Sequence, residues 1–204
     1  MAHQAVDLGH GQQALQLADS AISCSRGKVT PAAAALFTVL TARGHAATGD
    51  TARTTSAISH AGTLLSTADV EDEPAWIRAS GFTETSLASQ AGLALRDLGD
   101  FPGAERQFRT SIATRDGQAY RRIHALTLAN LADVQCLQGR LGEASANWSL
   151  ALDHMAGVRS ARTYAAARNI RHRLASLGPR LSGSTKQLDR RAATFLTVNT
   201  APAA

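Results

Sequence analysis

Aromatic side chains make up only 4% of this 204-residue chain: five Phe, two Tyr and two Trp. So few rings exclude a stacking platform of the kind that reads single-stranded nucleic acid. Cysteine is nearly absent too. Cys24 and Cys136 stand apart with no CxxC pair, which excludes a disulfide framework and a thiolate metal knuckle, and both read as small, reduced, apolar residues. No run of about 18 apolar residues suggests a membrane span. The start, MAHQAVDLGHGQQ, has neither the basic nor the apolar segment of a signal peptide. A cytoplasmic location is the expectation. Lysine is confined to Lys28 and Lys186, which with the Ala content points to a GC-rich genome.

Charge is unevenly spread. The net charge of +5 combines six Arg/Lys against ten Asp/Glu in residues 1–100 with fifteen against six in residues 101–204. Arg159 to Arg191 hold nine basic residues against Asp189. A basic end of this sort attracts polyanions, but no recognition motif accompanies it, and direct nucleic-acid binding is not expected.

What the chain does have is internal repetition. GDFPGAERQFRTSI (Gly99–Ile112) and GRLGEASANWSLAL (Gly139–Leu152) share one pattern: Gly, polar, bulky apolar, Ala at the fifth place after the Gly, aromatic at the ninth. Seven residues before each Gly stands a small residue, Gly92 or Ala132, within apolar stripes at helical spacing. Each unit therefore reads helix, turn at Gly, helix. Ala104 and Ala144 let the two helices approach, while Phe108 and Trp148 fill the space between hairpins. Weaker copies turn at Gly49 and Gly9, preceded for Gly49 by a good helix over Ala33–Thr48, with Pro31 suited to its first turn. The spacings of 40, 50 and 40 residues exceed the roughly 34 of a tetratricopeptide repeat. The extra residues fall between hairpins; the largest such stretch is the acidic loop Ser66–Ala75, which reads as a hinge.

The expected fold is thus all-α, a superhelical stack of antiparallel helical hairpins over residues 1–177, with turns near 9, 49, 99 and 139. A helix over 161–177, N-capped by Ser160, closes it with Tyr164, Ala167, Ile170, Leu174 and Leu177 on one face. GPRL (Gly178–Leu181) stops that helix. Residues 178–204 are Ser/Thr/Gly-rich and read as a flexible basic tail, with at most a short helix near Leu188–Phe195. At the other end only eight residues precede Gly9, so the ridge Ala14, Leu17, Ala18 and Ala21 is expected to lack half its cover and to support a homodimer through residues 1–25.

No reaction chemistry stands out. GHGQQA (Gly9–Ala14) has the letters of a dinucleotide fingerprint but no strand before it. His3, His10, His45, His60, His124, His154 and His172 form no HxxxH or HExxH pair, so neither a metal nor any other cofactor is expected. No nucleophile elbow marks a triad, and no catalytic residue is assigned. The first helices of stacked hairpins line a concave surface that such arrays use for binding. Off the packing stripe, that surface should carry Arg43, Ser89, Arg96, Asn130 and Asp133, with Arg121 and Arg122 near its mouth. Arg forks suit carboxylates and acidic peptide segments, and an Asn amide can bond an extended backbone. Arg121 and Arg122 are the first choices, because two cations at a helix start oppose the dipole.

Five ordered pieces carry a family resemblance: ARGHAATGD (Ala42–Asp50), EPAW (Glu73–Trp76), GLALRDLGDFPGAERQF (Gly92–Phe108), YRRIHALTLANLADVQCLQG (Tyr120–Gly139) and SARTYAAARNIRHRL (Ser160–Leu174). Over residues 5–177 the chain resembles the tetratricopeptide-repeat half of actinobacterial regulators of the Xre-type helix-turn-helix class. The resemblance implies a repeat domain that dimerises and senses a peptide, small molecule or protein, beside a DNA-binding domain for which nothing before Gly9 is long enough. The expected function is therefore protein or peptide binding, as the sensory or oligomerisation part of a bacterial transcriptional regulator without its DNA reader. The alternative is a free-standing scaffold or adaptor with no regulatory role.

Overall fold

A computed structural model describes residues 2–25, 29–69, 71–177 and 183–198. The described residues form eleven helices and no strand. In order these are α1 (Ala2–Asp7), α2 (Gly11–Ser25), α3 (Pro31–Ala47), α4 (Thr51–Ser66), α5 (Ala75–Ser80) and α6 (Glu84–Asp97). There follow α7 (Phe101–Thr114), α8 (Arg121–Leu137), α9 (Leu141–Met155), α10 (Ala161–Ser176) and α11 (Gly183–Val198). They fall into two compact units, residues 1–111 and 112–204, with the boundary inside α7.

The four turn glycines act as the repeat pattern requires. Gly9, Gly49, Gly99 and Gly139 all have φ between 77° and 83°, a region closed to most side chains. Each ends its helix with the same pair of bonds. In the third turn Asp100 N–H donates to Leu95 O at 2.9 Å and Gly99 N–H to Arg96 O at 3.0 Å. In the fourth, Arg140 N–H donates to Gln135 O and Gly139 N–H to Cys136 O, both at 2.9 Å. This crossed pair satisfies carbonyls that the helix leaves open. The chain then reverses into α2, α4, α7 or α9.

Packing repeats with the same register. Five residues after each Gly, Ala14, Thr54, Ala104 and Ala144 are all fully buried. Thr54 can stand in this Ala column because its hydroxyl donates to Asp50 O at 2.7 Å. Phe108 and Trp148, nine after the Gly, are fully buried as well. Phe108 lies over Gly92 so closely that a Cβ there would come within 2.6 Å of the ring.

In the first unit, the acidic loop expected to act as a hinge is tied down. Glu73 is buried and its Oε1 accepts from Ala32 N–H at 3.0 Å, while Thr30 Oγ1 donates to its Oε2. The carboxylate thereby serves the first turn of α3, whose own Thr30 makes no side-chain cap. Arg78 clamps the loop further by donating to Glu73 O at 2.6 Å. The front ridge is also better covered than its eight preceding residues suggested. Ala14 and Ala18 are buried, with Ala5 and Val6 of α1 in the same small core and α3 packed on α2.

In the second unit, one core joins Leu128, Trp148, Met155, Ile170 and Leu174 to Leu188, Ala192 and Phe195. The last three belong to α11, which corrects the expectation of a loose tail. Gly183–Val198 is a helix packed on α9 and α10, because Leu188, Ala192 and Phe195 recur at helical spacing and are buried together. The closing helix α10 thus has a partner, tied to it by Arg171 Nε donating to Asp189 Oδ1 at 2.9 Å. The stop at Gly178–Leu181 and the final residues 199–204 lie outside the described residues. Ser160 caps α10 as expected, its hydroxyl accepting from Arg162 N–H.

Candidate functional site

The seven residues expected on a binding surface fall into two groups, one per unit. In the first unit Arg43 is buried, with 2% of its surface exposed. Its Nη2 donates to Asp7 Oδ1 at 3.0 Å and its Nη1 to Gln90 Oε1 at 3.4 Å, so it links α1, α3 and α6. Burial pulls its pKa down and the Asp7 carboxylate opposes the shift. This arginine is therefore an internal strut and not an open surface group. Ser89 is buried as well. Arg96 is partly exposed and forks onto Asp97 Oδ1, with Nε at 3.0 Å and Nη2 at 2.8 Å. Arg43 is bonded to Asp7 and Gln90, and the charges of Asp97 and Arg96 act on it more weakly.

In the second unit Asp133 is buried between three helices. Its Oδ1 accepts from Trp148 Nε1 at 3.0 Å and its Oδ2 from Asn169 Nδ2 at 2.6 Å. Asp133 thus satisfies the indole N–H that a buried Trp brings with it. Asn130, one turn earlier on α8, is half-buried. Arg121 and Arg122 stand exposed on the first turn of α8. Tyr120 precedes them with no side-chain cap, and no acidic residue shares that turn. Arg121 Nη2 reaches Ala156 O at 3.4 Å.

Two features went unpredicted. One is a cluster at the α7–α8 connection. Arg115 lies over the Tyr120 ring at 6.0 Å, and His124 meets His154 of α9 edge-on at 4.7 Å between ring centres. Thirty residues separate the two histidines, so no motif announces the pair. The other is a cleft of about 500 Å³ between α9 and α11, lined by Gly142, Ser145, Ser149, Ser184, Leu188 and Arg191. Arg191 crosses it to donate to Ser149 Oγ and, at 2.5 Å, to Asp153 Oδ1. It could not be foreseen from a segment read as a tail. Burial pushes the Cys136 thiol up, which makes it less reactive, and Cys24 is exposed. No group of three metal-ligating side chains occurs among the described residues, nor does any described helix have the length and apolarity to cross a membrane.

No protein-family model and no curated protein matches the chain. Solved structures do. Two crystal structures of a kinesin light chain-like protein with nearly identical TPR-like repeats, from Podosopora anserina, superpose with TM-scores of 0.62 and 0.61 at 12% identity. They cover 98% and 97% of this chain and 92% of each counterpart. The fold is TPR-like. At this identity the likeness speaks for the helical-hairpin architecture alone, and the TPR-like assignment agrees with the turn glycines, small-residue columns and buried aromatics described above.

Proposed function

We propose that the chain is a protein- or peptide-binding TPR-like domain, serving as a sensory or oligomerisation module in bacterial transcriptional regulation. The observation that carries the binding reading is the exposed pair Arg121 and Arg122 on the uncapped, acid-free first turn of α8. Two cations beside the positive end of a helix repel one another and the dipole, and an anionic segment of a partner relieves both. The partner's backbone then runs along the first helices α8 and α10, beside the half-buried Asn130. In the first unit the candidate contact is Arg96, which lies in the last turn of α6 and is paired there with Asp97. Arg43 and Ser89 in the first unit, and Asp133 in the second, are buried and serve as internal supports of their own helices. No cofactor, metal or catalytic step is part of this reading.

The test is affinity selection of peptides from a random library, followed by titration of the selected peptides by fluorescence anisotropy. An acidic consensus is expected, with affinity falling as salt rises and about tenfold weaker binding in Arg121→Ala/Arg122→Ala, the loss of roughly one charge-assisted contact. Neutral consensus peptides that bind the double variant unchanged would remove the two arginines from the proposal. Self-association through residues 1–25 now rests on Leu8, 73% exposed at that edge. Light scattering of Leu8→Ser against the parent chain tests it, and a parent chain that stays monomeric at high concentration ends it.

A further inference from the structure

The connection between α7 and α8 contains a cation, Arg115, with no ion-pair partner among the described residues. Nε and Nη2 of Arg115 are buried, and neither has a hydrogen-bond partner among the described residues. These two N–H groups form the side edge of the guanidinium, the edge that holds both oxygens of a carboxylate in parallel. Leaving buried donors of a charged group unmet costs more than leaving neutral ones. The nearest acid in the chain does not help. Asp116 is engaged by its own turn: its Oδ1 accepts from Gln118 N–H at 2.8 Å and Ala119 N–H at 3.1 Å, bonds that hold its pKa below the usual carboxylate range. What Arg115 faces is the ring of Tyr120, 49% exposed.

A second unmet group lies close by. His124 Nδ1 is buried and has no partner among the described residues. The opposite edge of its ring rests on Gly117, where a Cβ would sit 3.3 Å from Nε2. Burial first, then His154 on α9 and Arg115, hold the pKa of His124 below its ordinary value. Those two are the charged or titratable groups that act on it. That shift favours the uncharged ring, and Arg115 supplies the fixed positive charge.

We infer that Arg115 and His124, with His154 packed against the latter, form an anion site and that its ligand is a carboxylate. The guanidinium edge takes the two carboxylate oxygens, and the imidazole of His124 turns its unmet nitrogen to the same anion. One fixed cation matches the single charge of a carboxylate, and the side edge of the guanidinium fits its two oxygens in parallel. Access is through the surface turn, where Asp116, Gln118, Ala119 and Tyr120 are exposed, and a swing of the Tyr120 ring uncovers the fork. The inference does not depend on Arg121 and Arg122, and it stands if those two prove idle.

The experiment is a titration of the full chain with sodium acetate at constant ionic strength, chloride being the balancing ion. The side-chain Nε–Hε signal of Arg115 and the ring signals of His124 are followed by NMR. Saturable shifts of both, with one midpoint, are expected. Bound carboxylate favours the imidazolium, so binding takes up a proton and tightens as the pH falls from 7.5 to 5.5, by at most about tenfold for each unit that the His124 pKa rises. Arg115→Gln should abolish saturation. Gly117→Ala, which pushes the imidazole aside, should weaken the midpoint several-fold while leaving the helical circular dichroism intact. A linear response in the parent chain, or an unchanged midpoint in Arg115→Gln, overturns the site. Saturation by inorganic phosphate at lower concentration than by acetate overturns the assignment to carboxylate. The parent chain alone decides the matter if a variant fails to fold.

Discussion

Phe108 and Trp148 hold the same place in successive hairpins, nine residues after a turn glycine, and both are fully buried. Their surroundings differ in two respects. Beneath Phe108 the facing helix carries Gly92 and then Leu93; beneath Trp148 it carries Ala132 and then Asp133. The larger ring brings an N–H that cannot be buried unmet, and Asp133 answers it at 3.0 Å. The carboxylate in turn needs more than one donor, and Asn169 of the next helix supplies the second at 2.6 Å. A Phe-to-Trp difference at a repeat position has thus been settled by a polar chain reaching into α10, whereas the Phe hairpin settles its packing with the missing Cβ of Gly92. The comparison teaches that a repeat register fixes where a side chain goes, and that local chemistry then decides which neighbours must change with it.

The largest effects should come from removing the rings. Trp148→Ala and Phe108→Ala should each lose about 3–5 kcal/mol, the usual cost of deleting a buried aromatic. The Trp change is expected to be the worse of the two, since it also strips Asp133 of a donor. Urea unfolding of the full chain, followed by circular dichroism, measures both. A loss below about 1 kcal/mol at either site would mean that the ring is not a packing element.

Next comes the polar link itself. Asp133→Leu copies the residue at the equivalent place in the Phe hairpin. On its own it should lose about 1–3 kcal/mol, because the indole and the Asn169 amide are left without an acceptor. Combined with Trp148→Phe, the loss should be smaller than the sum of the two single changes by at least about 1 kcal/mol. Strict additivity would show that Asp133 is not there for the indole.

Gly92→Ala turns the comparison round. The added Cβ would meet Phe108 Cε1 at 2.6 Å and Cδ1 at 2.7 Å, so a loss of about 1–3 kcal/mol is expected from overpacking. Gly92→Ala with Phe108→Leu should recover part of it. In the Trp hairpin an Ala already occupies the place, and Ala132→Gly should lose only about 1 kcal/mol, mostly chain entropy. Equal losses at the two positions would contradict the different ring seats.

Much of this was open to reading from the sequence, for a physical reason. Turn glycines, Ala columns and ring positions are local and periodic, and they recur in hairpin after hairpin. What was not legible depends on contacts across the chain. Arg43 lies off the apolar stripe, yet it is buried, because Asp7, thirty-six residues earlier, meets its charge. Glu73 belonged to a loop read as a hinge, and only the fold brings it under Ala32 N–H. Leu188, Ala192 and Phe195 did carry a helical period, but Ser, Thr and Gly around them outweighed three apolar positions. Of the proposed binding residues, Arg121 and Arg122 lie exposed where the helix start puts them. Asp133 was expected at the surface because an acid off the stripe ordinarily is, and the indole across from it was the signal that could have placed it inside.

The smallest expected effect concerns the helix starts that follow the turn glycines. Asp50 Oδ1 accepts from Arg53 N–H and Asp100 Oδ1 from Gly103 N–H, both at 2.9 Å. The hairpin of Trp148 has Arg140 at that place and no side-chain cap. Instead, Arg140 Nη1 donates to Glu143 at 3.0 Å, with both side chains a third or more exposed, so the ion pair is worth little. Arg140→Asp gives α9 the cap its counterparts have. The presence of Arg53 under Asp50 shows that a residue with a Cβ, as Glu143 is, does not prevent that cap. A full cap is worth about 1 kcal/mol, and the lost pair and the new repulsion from Glu143 take back part, so a gain of about 0.5 kcal/mol is expected. Asp100→Ala, measured in parallel, should lose about 1 kcal/mol. Should Arg140→Asp destabilise instead, the contact of Gln135 Nε2 with Glu143 Oε2 at 3.2 Å becomes the reason to examine, since Glu143 would then be holding the buried Gln135 with help from Arg140.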